Sequence, residues 1–125
     1  MKILIIDDNP ATTRAVSKIL QLKGHDCSLS NDGKEGLRLI SENDYDLVLL
    51  DLTMPNFSGV DLLKKIKSFS INFSKIIIFT AMTLSTSQLA ELKALGIKRI
   101  LKKPFSINEL DVIISEQNST MRIKT

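Results

Sequence analysis

Three short runs are almost wholly apolar: Lys2–Ile6 (KILII), Leu47–Leu50 (LVLL) and residues 75–79 (KIIIF). Four or five residues make a poor buried helix, and no polar alternation marks one exposed face. These runs therefore predict strands covered on both sides. Between and around them lie stretches with apolar residues at helical spacing. Asn9 and Pro10 predict a helix start, with proline at the first helical position, where its missing N–H costs nothing. Val16, Ile19 and Leu20 follow on one face, and Gly24 ends the helix. Residues 34–43 predict a second helix, with Leu37 and Ile40 inward. A third is expected over 59–69, presenting Val60, Leu63 and Ile66. A fourth covers 87–95 and stops at Gly96, and a fifth covers 107–116. Asp26–Ser30 reads as a weaker strand near an edge, and Arg99–Lys102 as a last short one. Strands alternating with amphipathic helices predict an α/β fold: a doubly wound five-stranded parallel sheet with helices on both faces and right-handed crossovers.

The chain has 125 residues, enough for one domain with its own core. Residues 1–117 carry the pattern. Residues 118–125 are polar and are expected to form a fraying tail. The single cysteine, Cys27, has no partner for an internal disulfide, which fits a reducing compartment. No signal-like segment opens the chain, and no run approaches the length of a membrane span. A cytoplasmic protein without membrane contact is expected. The net charge of +3 is mild. Lys98, Arg99, Lys102 and Lys103 form its densest cluster, too small for a nucleic-acid footprint, so no direct nucleic-acid binding is expected. His25, the single histidine, sits near the end of the first helix and is read as a surface or capping residue.

In sheets of this type, ligands bind beyond the carboxyl ends of the strands. The first strand runs into Asp7 and Asp8, the third into Asp51, the fourth into Thr80, and the fifth into Lys103 and Pro104. Each residue alone has an ordinary explanation: a loop acid, a turn cap, a strand-end hydroxyl, a surface charge. Together they place three carboxylates, a hydroxyl and a lysine on one rim. Crowded carboxylates repel one another and favour a cation. A hard ion with oxygen ligands suits Mg2+, with Mn2+ as an alternative. A metal and a lysine together suit a phosphoryl group, and a carboxylate can accept one as an aspartyl phosphate. Asp51, at the end of a buried run, is the expected acceptor.

Four segments carry a family resemblance: "IIDDNP", "LLDLTMPNFSGVDLL", "IIIFTA" and "KKPF". In this order and spacing the chain resembles the receiver domain of two-component response regulators, over about residues 2–117. Met54, Pro55 and Gly59 follow Asp51 as in that family's phosphoacceptor segment, Ala81 follows Thr80, and Pro104 follows Lys103. The resemblance implies the flavodoxin-like strand order 2-1-3-4-5. It implies that Asp51 takes a phosphoryl group from a sensor histidine kinase or a phosphotransfer protein. It also implies Mg2+ held by Asp8, Asp51 and the Thr53 backbone carbonyl, with Asp7 acting through water. Thr80, Ala81 and Lys103 would stabilise the phosphoryl group and act as the switch. A cis peptide before Pro104 would aim the lysine. An effector that the sequence does not identify would read the change, and the domain would be a monomer or a phosphorylation-dependent dimer.

Two positions depart from the family pattern. Ile100 stands where an aromatic is usual, three residues before the lysine. Met82, two residues after Thr80, and Thr53, two after Asp51, fall where relatives tune dephosphorylation. Two other readings compete. A haloacid-dehalogenase-like phosphatase would use Asp7 or Asp8 as nucleophile, but it wants a further acidic pair after the lysine, and only Glu109 and Asp111 follow. An unphosphorylated receiver-like scaffold would have no use for the acidic rim. No separate turnover substrate is expected, so the protein is not read as an enzyme.

Overall fold

The computed structural model describes residues 1–53, 59–68 and 71–124. The chain alternates throughout. First come β1 (Lys2–Ile6), α1 (Pro10–Leu22), β2 (Asp26–Ser30) and α2 (Gly33–Glu42). Then follow β3 (Leu47–Leu50), α3 (Gly59–Ile66) and a short 3-10 turn, Phe73–Lys75, that leads into β4 (Ile76–Thr80). The chain closes with α4 (Thr86–Leu95), β5 (Arg99–Lys102) and α5 (Ile107–Lys124). The strands form one five-stranded sheet in the order β2-β1-β3-β4-β5, and every pairing is parallel. The all-parallel five-stranded sheet is what the alternating pattern predicts, and its order is the one the family resemblance implies.

The continuous apolar runs are explained by which side each residue faces. Successive strand residues point to opposite faces. Ile3, Ile5, Leu47 and Leu49 pack with Val16 and Leu20 of α1 and with Leu110 and Ile114 of α5. Leu4, Ile6, Val48 and Leu50 pack on the other side with Ile40 of α2, with Leu62, Leu63 and Ile66 of α3, and with Leu92 of α4. With helices on both faces, the interior positions of β1, β3 and β4 are apolar on either side. Each buried Leu or Ile contributes about 1.5–3 kcal/mol. α2 lies so close to β1 that a Cβ on Gly36 would stand 2.8 Å from Ile6 Cδ1.

Local signals set the helix ends. The Asn9 side chain accepts from the Ala11 N–H at 3.0 Å and caps α1, with Pro10 beside it. Gly24 adopts φ of 89°, which a residue with a Cβ resists, and turns the chain toward β2. The His25 N–H donates to the Leu20 carbonyl at 3.1 Å, so its backbone helps close α1 as expected. Ser85 and Gln88 form a reciprocal capping box on α4.

Several boundaries change. The second helix, expected over 34–43, runs Gly33–Glu42, with Asn43 as its C-cap. Lys75 belongs to the 3-10 turn, and β4 begins at Ile76. α4 begins at Thr86, because its cap is Ser85. The last helix continues past Glu116 to Lys124, where fraying was expected. Apolar spacing marks only the part of a helix that packs, whereas backbone hydrogen bonding can carry polar residues further. The third helix ends at Ile66, with Lys67 and Ser68 in a turn, short of the expected Phe69, which itself lies outside the described residues. Among the described residues, no helix is long and apolar enough to cross a membrane.

Candidate functional site

Parallel register brings the strand ends level. Ile6 is opposite Leu50, and Thr80 is opposite Lys102. The residues that follow therefore share one rim. Asp7, Asp8 and Asp51 each offer a carboxylate oxygen there, all within 4.8 Å of one another. Asp7 is only 1% exposed and Asp51 5%, whereas Asp8 faces solvent. Lys103 reaches into the cluster from beyond β5. Its Nζ lies 2.5 Å from Asp7 Oδ2 and 3.5 Å from Asp51 Oδ2. The ammonium also stands 4.6 Å from the centre of the Phe79 ring, a cation–π distance. The Lys103–Pro104 peptide is cis, and the Lys103 N–H donates to the Thr80 carbonyl at 2.9 Å.

The backbone holds the two buried acids. The Asp51 Oδ1 accepts from the Thr53 N–H at 3.1 Å, and Asp7 Oδ1 accepts from the Asn9 N–H at 3.0 Å. Burial pushes the Asp51 carboxyl above the ordinary value of 3.8, and the Asp7 charge adds to this. The Thr53 amide and Lys103 oppose it. Asp8 is also raised, through burial first and then its hydrogen bond to Asp7 and that neighbour's charge. Hence the carboxylates are mutually unfavourable, and one lysine compensates them only partly. Such a donor set fits a hard divalent cation.

Thr80 is 1% exposed, and its hydroxyl accepts from the Met82 N–H at 3.1 Å. Met82 is 36% exposed, and its sulfur accepts from Thr53 Oγ1 at 3.8 Å. Ala81 and Pro104 are exposed at the same rim. Ile100 is 38% exposed on the edge strand and has no part in the cluster. The sequence thus brings Asp7, Asp8, Asp51, Thr53, Thr80, Ala81, Met82, Lys103 and Pro104 to one place. Met54 and Pro55 lie outside the described residues.

Sequence reasoning missed three contributors. Asn31 donates from Nδ2 to the Asp7 carbonyl at 2.7 Å and to Thr13 Oγ1 at 3.0 Å. The carboxyl-end rule could have found it, since it follows β2 directly. Phe79 underlies Lys103, and nothing in an apolar run distinguishes a ring that meets a cation. Lys102 Nζ donates to Thr83 Oγ1 at 3.1 Å and ties the loop after β4 to β5. The basic cluster is largely committed: Arg99 pairs with Glu116 at 3.0 Å and donates to Gln117 at 2.9 Å.

Known proteins resemble this chain in sequence and fold. Transcriptional regulatory protein DltR of Streptococcus agalactiae is 34% identical over 110 residues, which are 88% of this chain and 48% of DltR. Response regulator ArlR of Staphylococcus saprophyticus is 36% identical over 109 residues, 87% of this chain and 48% of ArlR. The chain therefore spans about half the length of the curated relatives it matches. Among solved structures, the receiver domain of the Francisella response regulator 1452 superposes with a TM-score of 0.84 at 33% identity, covering 96% of this chain and 98% of that one. Response regulator protein TrrA of Thermotoga maritima, solved in complex with Mg2+-BeF, gives 0.77 at 28% identity, covering 93% and 97%. The family described as response regulator receiver domain matches residues 3–115. With nearly the whole chain inside that match, the protein belongs to the response regulator receiver domains.

Proposed function

We propose that this domain accepts a phosphoryl group on Asp51 from a sensor histidine kinase or a phosphotransfer protein and thereby switches its contacts with a downstream effector. The carrying observation is the trio Asp7, Asp8 and Asp51, drawn within 4.8 Å, with Lys103 paired to Asp7 and Asp51. In the transfer an Asp51 carboxylate oxygen attacks phosphorus. The bond from phosphorus to the donor nitrogen breaks, its electron pair leaves with the imidazole, and an aspartyl phosphate forms. The Thr53 N–H fixes Oδ1 and leaves Oδ2 on the lysine side. Asp8, Asp51 and the Thr53 carbonyl would hold Mg2+ or Mn2+, with Asp7 acting through water. When bound, the ion supplies charge neutralisation for the phosphoryl oxygens. Lys103 then turns from Asp7 toward the new anion, and the Thr80 hydroxyl donates to it, with Ala81 alongside. Thr53 and Met82 set how readily water reaches the product.

The receiver unit is residues 1–117, with 118–125 outside it. The domain acts on its own Asp51 and turns over no separate substrate. It works in the cytoplasm without membrane or direct nucleic-acid contact, as a monomer or a dimer formed on phosphorylation. The family match speaks for this reading over a dehalogenase-like phosphatase. A small phosphodonor such as acetyl phosphate tests it. Intact mass should gain one phosphoryl group in the presence of Mg2+, and none in EDTA or in Asp51→Asn. An equal gain in Asp51→Asn removes Asp51 from the role.

A further inference from the structure

The contact between Thr53 and Met82 joins the residue two after Asp51 to the residue two after Thr80. It crosses the ends of the adjacent strands β3 and β4, beside a carboxylate only 5% exposed. A thioether is a weak acceptor, and 3.8 Å is a loose bond. Met82 as a whole is 36% exposed, so a small oxidant can reach its side chain. The Met82 N–H donates to the Thr80 hydroxyl at 3.1 Å, and the Met82 side chain stands beside Thr53.

We propose that Met82 is a redox modification site, whose oxidation to the sulfoxide by a peroxide tightens the Thr53 link and narrows access to Asp51. The sulfur donates an electron pair to one peroxide oxygen, the O–O bond breaks, and the sulfur gains that oxygen. The peroxide is reduced to water, or to an alcohol if organic. The sulfoxide oxygen is polar, a far stronger acceptor for the Thr53 hydroxyl than the sulfur. A stronger bridge across the mouth excludes water from the aspartyl phosphate. Cys27 competes poorly for the peroxide: it is half-buried, and burial pushes its thiol up, leaving little thiolate. The effect on phosphoryl lifetime rests on the receiver reading above, whereas the sulfoxide bond to Thr53 does not.

The test uses the full chain in a Cys27→Ser background. Hydrogen peroxide treatment is followed by peptide mass mapping, which separates Met82 from Met1, Met54 and Met121. Loading with acetyl phosphate and Mg2+ then gives the phosphoryl lifetime. Met82 should gain one oxygen, and the lifetime should lengthen about threefold or more, the scale of one strengthened hydrogen bond. Methionine sulfoxide reductase should reverse it, and Met82→Leu should not respond to peroxide. Oxidised Met82 with an unchanged lifetime, or an equal response in Met82→Leu, overturns the proposal. Melting supplies an arm independent of phosphorylation. Oxidation should shift the melting temperature differently in chains with Thr53 and with Thr53→Val, and equal shifts overturn the contact. If the unoxidised chain takes no phosphoryl group, the receiver reading fails, and the melting comparison still decides the contact.

Discussion

Lys103 makes its closer ion pair with Asp7, at 2.5 Å, and its longer one with Asp51. The carboxyl-end rule brings lysine and acids to one rim but does not choose among three neighbouring carboxylates. That choice depends on where the Lys103–Pro104 turn and the Phe79 ring set the ammonium, which no sequence pattern encodes. The pairing has a cost if broken, because Asp7 is 1% exposed and would be left charged and buried. Removing one partner of a buried pair typically costs about 3–5 kcal/mol. Lys103 keeps 22% side-chain exposure, which puts the expected loss for Lys103→Met near the lower end, about 3 kcal/mol. Adding Asp7→Asn should recover much of it, since no buried charge remains. Denaturant midpoints of the two single variants and the double variant measure this coupling. A Lys103→Met domain as stable as the parent, or a double variant no better than the single, contradicts the assignment.

Among the elements, the three buried strands were legible because two-sided burial writes itself as an unbroken apolar run. Ile3 through Ile6 are all fully buried, and the pattern could not be otherwise. α4 was less legible in its attachment. Only Leu92 of Thr86–Leu95 is buried, and Leu89 is 44% exposed. Few buried contacts mean a low local opening energy. This weak anchoring bears on the proposed switch. One charge-assisted hydrogen bond from Thr80 is worth about 1.5–3 kcal/mol, but inverting a 1:99 population takes about 5.5 kcal/mol. The free domain must therefore already sample the switched arrangement or add other contacts, and α4, with one buried residue, is cheap to move. Ile100 needs no rearrangement, being 38% exposed, β-branched and stiff. Spectra recorded with and without a beryllofluoride mimic should shift resonances across residues 81–96 and leave the Ile100 rotamer unchanged. A rotamer jump at Ile100 with a still 81–96 backbone would reverse this account.

At the scale of the whole molecule, the rim makes stability depend on protons and metal. The folded-state carboxyls of Asp8 and Asp51 lie above the unfolded value of 3.8. The fold therefore holds those protons more tightly than the unfolded chain does. Their stabilising contribution is complete below 3.8 and is lost as pH rises through the raised values. At neutral pH the metal-free domain thus carries strain that a neutral side chain removes. In Asp51→Asn the Lys103–Asp7 pair survives, and an amide oxygen can still accept from Thr53. The variant should melt above the parent at pH 7.5 in EDTA, by about 3–5 °C per kcal/mol relieved in a domain of this size. That gap should shrink at pH 4.5, as the parent's own carboxyl takes up a proton. Mg2+ should act in the opposite sense. It stabilises a chain that binds it by about 2.7 kcal/mol at 100 times its dissociation constant, so the parent should climb with metal while Asp51→Asn and Asp8→Asn lag. Melting curves of all three chains at both pH values, with EDTA and with millimolar Mg2+, supply the comparison. A gap that is constant with pH, or equal Mg2+ shifts in parent and variants, would mean that the acidic rim is neither the source of the strain nor the seat of the ion.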